Sequence, residues 1–413
     1  MKENPKICMI SVEPFCKPQG VLSSRCFSYF AANGWEITRD ISSADFVLVN
    51  TCGFHEKTQD CSREEVRKAL AGVRKGVKVG VIGCLNKINP KVLKEFPSAI
   101  IMDDLKDLNE FMNAKIPISK IDNFNYDETL FKKYGFQPSG YQIFDKVQFF
   151  LGNIISKSAR KFSYPFAEAS HLQQVLAEMD HGGDRSKIYI EIGKGCVGEC
   201  SYCVIKKARG PIESRKEEDI LAELKKIYKP GKIINLVADD CGSWGIDFKK
   251  TIFDLINGIE KALPGAGIDL CYINPFWFEK YPDEYVKMCE NANISSINVS
   301  LQSGSDKIIV AMNRKYKAKN VLNVIKRIRA VSPRTMLWAH LMIGYPGETL
   351  RDFIRTMRAA TYFDFYCTFY FSSVRSDQNY SHNIIVWLFK NVTMRSLKYF
   401  RMFLKLFFIL PSK

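Results

Sequence analysis

Three cysteines, Cys196, Cys200 and Cys203, fall within eight residues in the run GKGCVGECSYC (193–203). Thiolates are the ligands that iron–sulfur clusters prefer, and a short glycine-containing loop with the spacing C-x3-C-x2-C can wrap one cubane. Three protein ligands leave the fourth iron of a four-iron cluster open to a small chelating molecule. The amino and carboxylate groups of the methionine part of S-adenosylmethionine (SAM) fit that role. An electron passed to the bound sulfonium would then cleave it to a 5′-deoxyadenosyl radical, which abstracts hydrogen from unreactive carbons. Zinc is the alternative. A structural zinc site takes four ligands, usually as two separated pairs, and no nearby histidine or fourth cysteine completes this one.

The remaining cysteines need a position before they can be given a role. The opening MKENPKICMI is broken by charge and proline, which does not read as a secretory signal, and the cytoplasm is the expected compartment. Thirteen cysteines there are not a disulfide framework, because that compartment keeps thiols reduced. They are candidates for ligation, catalysis or core filling. Apolar runs at 6–12, 45–50 and 78–83 read as strands, and 20–33 and 60–75 read as helices. Strands separated by helices imply right-handed parallel βαβ units. Cys16 follows the first strand, Cys52 the second and Cys84 the third. The carboxyl ends of parallel strands line one crevice where ligands bind, so these three distant cysteines are expected to converge on one edge. Cys8 falls inside a strand, and Cys26 and Cys61 fall on helices, where core or surface roles are expected.

The elements that must carry the first trio follow a flexible joint, AEMDHGGDRSK. From there strands are expected at about 187–192, 233–238, 268–273, 296–301, 337–343 and 367–372, with helical patterns between them. Six βα units suit an open partial barrel, with chemistry at the carboxyl ends of the strands. The expected protein is α/β. A Rossmann-like parallel-sheet domain (1–117) and a connector (118–183) precede a partial (β/α)6 barrel (184–375), and a basic, aromatic-rich tail (376–413) closes the chain.

In its motifs the chain resembles the radical-SAM methylthiotransferases, which insert a methylthio group into tRNA adenosines or into an aspartate of a small-subunit ribosomal protein. VNTCGF around Cys52, GCL around Cys84 and an earlier Cys16 carry the resemblance in the first domain. GCVGECSYC, ARGPIESR (208–215), LQSGSD (301–306), MNRKY (312–316) and IGYPGET (343–349) carry it in the second. The resemblance implies an enzyme with two [4Fe–4S] clusters and two SAM molecules per turnover. Cys196, Cys200 and Cys203 would hold the SAM cluster. Cys16, Cys52 and Cys84 would hold an auxiliary one, whose open iron carries the sulfur or methylthio group. Its implied partners are a macromolecular substrate and an electron donor such as flavodoxin or ferredoxin.

Other residues are open to two readings. Arg209 and Arg215 are candidates for contact with substrate or with the SAM carboxylate, or else ordinary turn arginines. Tyr202 is a candidate neighbour of adenine. Gln302 and Ser303 end a strand and are expected at the barrel mouth or in a turn. Gly344 and Gly347 are expected to permit a tight turn, with Glu348 beginning a helix. His340, with Ala339, stands where the family often has an acidic residue, and is either structural or a polar substrate contact.

The C-terminal part departs from the family pattern. FYFSSVRSDQNY starts the strand that leads into the family's small substrate-gripping barrel and then loses the pattern. Residues 381–413 hold six Lys/Arg and no Asp/Glu. No stretch there reaches the ~20 apolar residues of a spanning helix, so the tail is expected to be truncated or divergent rather than a membrane-surface helix. The formal net charge of +16 favours polyanionic partners such as RNA or ribosomes. Two alternatives remain: an impaired family member that binds clusters or RNA without turnover, and a radical-SAM enzyme with another sulfur-insertion substrate.

Overall fold

The run Phe46–Thr51 is buried at every position, as a central parallel strand covered on both faces must be. In the computed structural model, which describes residues 4–12, 16–54, 56–121 and 187–371, this is β3 of a five-stranded sheet. Its companions are β1 (Lys6–Ser11), β2 (Glu36–Thr38), β4 (Lys78–Gly83) and β5 (Ile100–Ile101). All pair in parallel, in the order β2-β1-β3-β4-β5. Helices α1 (Lys17–Ala32) and α2 (Glu56–Gly72) cover opposite faces. Phe27 and Phe30 of α1 pack with Ile7 and Leu48, whereas Val66 and Ala69 of α2 pack with Val47 and Val49. Short helices α3 (Leu85–Ile88) and α4 (Pro90–Leu93) follow β4, and α5 (Leu105–Met112) follows β5.

The strand order reverses between β1 and β3, the switch point at which open α/β sheets bind ligands. The reversal depends on β2, whose three residues are too few for alternation to register. Both helices also differ from the sequence bounds. The first begins at Lys17, because Pro18 is tolerated in a first turn. The second runs 56–72 rather than 60–75.

The second sheet has six parallel strands. These are β6 (Lys187–Glu191), β9 (Ile233–Val237), β10 (Gly267–Ile273), β11 (Ile294–Gln302), β12 (Met336–Ile343) and β13 (Phe365–Tyr370). Each lies beside its predecessor, which is the singly wound order of an open partial barrel. A two-stranded antiparallel pair, β7 (Gly193–Lys194) with β8 (Glu213–Ser214), closes the base of the cysteine-bearing loop. That loop also carries α6 (Ile205–Arg209). Helices α7 (Glu217–Ile227), α8 (Ile252–Ala262), α9 (Phe276–Lys280), α10 (Pro282–Asn291), α11 (Asp306–Ala311), α12 (Ala318–Val331) and α13 (Leu350–Ala360) complete the barrel.

Alternation along the barrel strands separates two faces. Ile234, Leu236, Ile268, Leu270, Ile297, Val299, Leu337 and Ala339 join the core beneath the helices. The inner face carries Lys187, Asn235, Asp269, Asn298 and His340, with Trp338 stacked on Phe365. The connector after residue 121 and the basic tail lie outside the described residues. Among the described residues no helix is long and apolar enough to cross a membrane.

Candidate functional site

The barrel's first loop places Cys196, Cys200 and Cys203 beyond the carboxyl end of β6. Gly195 precedes them with φ +81, and a Cβ there would stand 2.0 Å from the Pro211 carbonyl oxygen. Only glycine lets the loop close against the 210–211 backbone. Gly198 donates its backbone N–H to Cys196 Sγ at 3.2 Å, and a Cβ there would meet Cys196 Sγ at 3.2 Å and Cys200 Sγ at 3.9 Å. Burial pushes the Cys196 thiol up to about 12, helped by the Asp240 charge and by the neighbouring Cys200 and Cys203. Burial likewise raises Cys203 to about 11. Protein alone therefore keeps these sulfurs protonated, and a bound metal is what would ionise them.

Arg314 shows what the loop lacks. It is 8% exposed and donates to Tyr202 Oη at 2.8 Å, Asn274 Oδ1 at 3.0 Å and the Ser300 carbonyl at 2.9 Å. It also reaches Cys200 Sγ at 3.5 Å, and its Nε has no hydrogen-bond partner. Among the described residues no carboxylate pairs with it. A buried cation without a counter-charge costs several kcal/mol, and an anionic cluster on the three adjacent thiolates would supply one. The residues fit such a group. Among the described residues no three His, Cys, Asp or Glu form a group that holds a metal ion. A cubane bonds each cysteine to a different iron, so its three sulfurs need not converge on one point.

The other trio lies where the first sheet reverses. Cys16 caps α1, Cys52 follows β3 directly, and Cys84 caps α3. Strands β1, β3 and β4 are immediate neighbours, so the three cysteines share one sheet edge spanning about 10 Å. Gln19, in the first turn of α1, donates Nε2–H to Cys84 Sγ at 2.8 Å. The Gln19 backbone carbonyl accepts from Asn50 Nδ2 at 3.3 Å. The Cys52 backbone is held on both sides by the Ser62 hydroxyl, at 3.0 Å each. Ser11 Oγ, Gln19 Oε1 and Asn50 Oδ1 are buried at this edge without hydrogen-bond partners. Of these, the Ser11 hydroxyl can donate to the sulfide of an inorganic group seated among the thiols, while the two amide oxygens only accept hydrogen bonds.

The two edges face each other. Val21 of α1 packs with Tyr189 of β6 and Val237 of β9, and Lys17 Nζ lies 5.0 Å from the centre of the Tyr189 ring. Lys207 of α6 donates to the Ile88 carbonyl of α3 at 2.6 Å. The helix capped by Cys84 thus abuts the loop that carries Cys196, Cys200 and Cys203.

Several candidates prove to have internal partners. Arg209 pairs with Asp239 at 3.1 Å and Glu191 at 3.0 Å. Arg215 pairs with Glu223 at 2.6 Å and donates to the Glu191 carbonyl at 2.7 Å. Tyr202 accepts from Arg314 and meets Tyr345 edge-on. Ser303 is buried and bonded to Thr356. Glu348 does not begin a helix. Thr349 caps α13, and Glu348 instead accepts the Gly344 N–H at 2.6 Å. Its carboxyl is pushed up to about 7, chiefly by burial. His340 bonds Asn298 at 3.2 Å between the rings of Tyr272 and Phe369. Gln19 and Asp239 were not singled out in the sequence, although Asp239 lies two residues beyond β9, where barrel chemistry is expected, and Arg314 stood there only as part of MNRKY, with no role given.

An open parallel barrel with three thiols on its first loop is the arrangement expected of a radical-SAM protein. The Radical SAM superfamily matches residues 190–360, and the Uncharacterized protein family UPF0004 matches residues 16–103. The chain is 26% identical over 328 residues to the ribosomal protein uS12 methylthiotransferase RimO of Acetivibrio thermocellus, covering 78% of this chain and 65% of that one. It is 27% identical over 335 residues to the tRNA-2-methylthio-N(6)-dimethylallyladenosine synthase of Sulfurimonas denitrificans, covering 78% and 66%. The chain spans about two thirds of the length of these relatives. The solved radical S-adenosylmethionine methyltransferase TsrM of Kitasatospora setae matches with a TM-score of 0.55 at 13% identity, over 89% of this chain and 73% of its own, a likeness of fold. With both domains matched in order, the comparisons support the radical-SAM methylthiotransferase family for this chain.

Proposed function

We propose that the protein is a cytoplasmic methylthiotransferase that modifies a ribosomal-protein aspartate or a tRNA adenosine. Cys196, Cys200 and Cys203 hold the SAM cluster, and Cys16, Cys52 and Cys84 hold an auxiliary [4Fe–4S] cluster. The observation that carries the reading is the juxtaposition of the two cysteine edges through α1, α3 and α6. When bound, the groups supply reductive cleavage of SAM at one edge and a sulfur for transfer at the other. Arg314 balances the charge at the first edge, and the Gly198 N–H steadies Cys196. Gln19 orients Cys84, and Ser62 fixes the backbone of Cys52. Val21, packed on Tyr189 and Val237, excludes water from the contact between α1 and the barrel strands. A low-potential donor of the flavodoxin or ferredoxin type supplies the electron.

The test is iron and acid-labile sulfide per chain after anaerobic reconstitution, beside a Cys16/Cys52/Cys84 triple-alanine variant. About eight irons falling to about four supports two cubanes. About four in both proteins removes the auxiliary cluster and the methylthiotransferase reading with it. Nucleoside profiling and peptide mass analysis of a deletion strain separate the substrates: unchanged 2-methylthioadenosine eliminates tRNA.

A further inference from the structure

Asn274 immediately follows β10, at the carboxyl-end rim that carries the first cysteine loop. Its backbone N–H donates to Asp240 Oδ1 at 3.1 Å. Asp240 is buried and fixed in turn by the Gly242 N–H, the Ser243 hydroxyl and the Trp277 indole N–H, at 3.2, 2.7 and 2.8 Å. The Asn274 side-chain oxygen accepts from Arg314 Nη2 at 3.0 Å and from the Phe276 N–H at 3.2 Å. Its amide nitrogen abuts the loop, 3.6 Å from where a Cβ on Gly198 would stand. From this anchor Arg314 Nη1 reaches Cys200 Sγ at 3.5 Å. Arg209, Arg215 and Arg329 each pair with a carboxylate. Arg314 meets an amide oxygen at the one place where an aspartate of the same shape would fit.

We infer that Asn274 is a positioning residue: it holds the Arg314 guanidinium on Cys200 without neutralising it, and the charge so kept raises the reduction potential of the group held by Cys196, Cys200 and Cys203. The inference rests on the reading of those three cysteines as cluster ligands and gives the amide a task within it.

Net charge and hydrogen bonds to the sulfurs set the potential of an iron–sulfur cluster, and outer-shell partners tune both. A cation beside the cluster favours the more negative, reduced state, and an N–H donated to a ligand sulfur acts in the same direction. An aspartate at 274 would be held ionised by the adjacent guanidinium. Its carboxylate would still accept from Arg314 and from the Phe276 N–H, as the amide oxygen does. It would therefore keep both hydrogen bonds and cancel the charge. An asparagine that merely packs the loop would tolerate that exchange with no change in potential.

The experiment uses the full chain carrying Cys16→Ala, Cys52→Ala and Cys84→Ala, so that only the first-loop group is read. After reconstitution with iron and sulfide, the midpoint potential is measured by redox titration followed by electron paramagnetic resonance. In Asn274→Asp and in Arg314→Met the reduction equilibrium shifts about tenfold toward the oxidised state, about 59 mV for one electron. Tyr202→Phe leaves the charge in place and stays within twofold of the parent. If Arg314→Met holds no iron, Asn274→Asp decides alone. Iron retained in Asn274→Asp with a potential within twofold of the parent overturns the inference while leaving the cluster in place. Folded chains without iron in both variants also overturn it, because the cation then serves assembly rather than potential. A parent that holds no iron overturns the first-loop cluster reading and this inference with it.

Discussion

The Arg314 guanidinium stands 2.8 Å from the Tyr202 hydroxyl and 3.5 Å from Cys200 Sγ, and among the described residues no carboxylate balances it. Its charge is therefore costly before a cluster binds and useful afterwards. Removing a buried charge that has no counter-charge also removes its desolvation cost of several kcal/mol, which outweighs the hydrogen bonds lost at Tyr202, Asn274 and Ser300. Arg314→Met is thus expected to leave the cluster-free protein at least as stable as the wild type in urea, and to lower the iron retained at the first loop severalfold. Tyr202→Phe, which removes a single hydrogen bond, is expected to do far less. A cluster-free Arg314→Met protein less stable by several kcal/mol would show that the charge already has its partner.

Gly83 and Gly195 each stand one residue before a cysteine proposed as a ligand, with φ +113 and +81. A Cβ on Gly83 would lie 2.3 Å from the Thr51 carbonyl oxygen, and one on Gly195 would lie 2.0 Å from that of Pro211. Strain and overlap together are expected to cost on the order of 2–4 kcal/mol at either position. Gly195→Ala should displace the first loop and spare the cluster at Cys84, whereas Gly83→Ala should do the reverse. Iron counts on the two variants check this, and equal losses from both clusters would refute it.

His340 faces Tyr272 of β10, Asn298 of β11 and Phe369 of β13, none of them charged at neutral pH. Burial pushes its pKa down from 6.5 to about 4. Between these values the unfolded chain binds the proton that the folded one refuses, so stability rises with pH across the window. The contribution is complete above pH 6.5 and is lost as pH falls toward 4, with a size of about 3 kcal/mol. His340→Gln should flatten this part of the pH profile, read as urea midpoints from pH 4 to 7. Parallel profiles for both proteins would rule the histidine out as the source.

The sequence disclosed long elements and ligand types better than short elements and partners. All six barrel strands were legible because each is an apolar or alternating run of five or more residues, and strand ends located Cys52 and Cys84 correctly. β2, with three residues, and the β7–β8 pair, with two each, carry too little pattern to detect. Yet β2 makes the switch point, and β7–β8 closes the cluster loop. The roles of Arg209 and Arg314 were hidden for another reason. Their partners Asp239, Glu191, Asn274 and Ser300 come from separate strand ends, which only the closed register of the barrel brings together.

Lys187 and Asp269 form an ion pair of 3.0 Å on the inner face of the barrel, with side chains 4% and 1% exposed. Both lie toward the amino-terminal ends of β6 and β10, away from the cysteine loop, where barrel residues serve stability rather than chemistry. Asn235 Nδ2 reaches Asp269 Oδ2 at 3.4 Å, while Asp269 Oδ1 has no hydrogen-bond partner. Removing one partner leaves a buried charge, at a cost of about 3–5 kcal/mol. Lys187→Met and Asp269→Leu should each destabilise by that order. Their combination should recover most of the loss, because two apolar side chains then pack together. All three variants should keep the wild-type yield of 5′-deoxyadenosine per folded, iron-loaded chain. A double variant as unstable as the sum of the singles would mean that the two charges act independently. A fall in 5′-deoxyadenosine in the folded double variant would place the pair within reach of the chemistry.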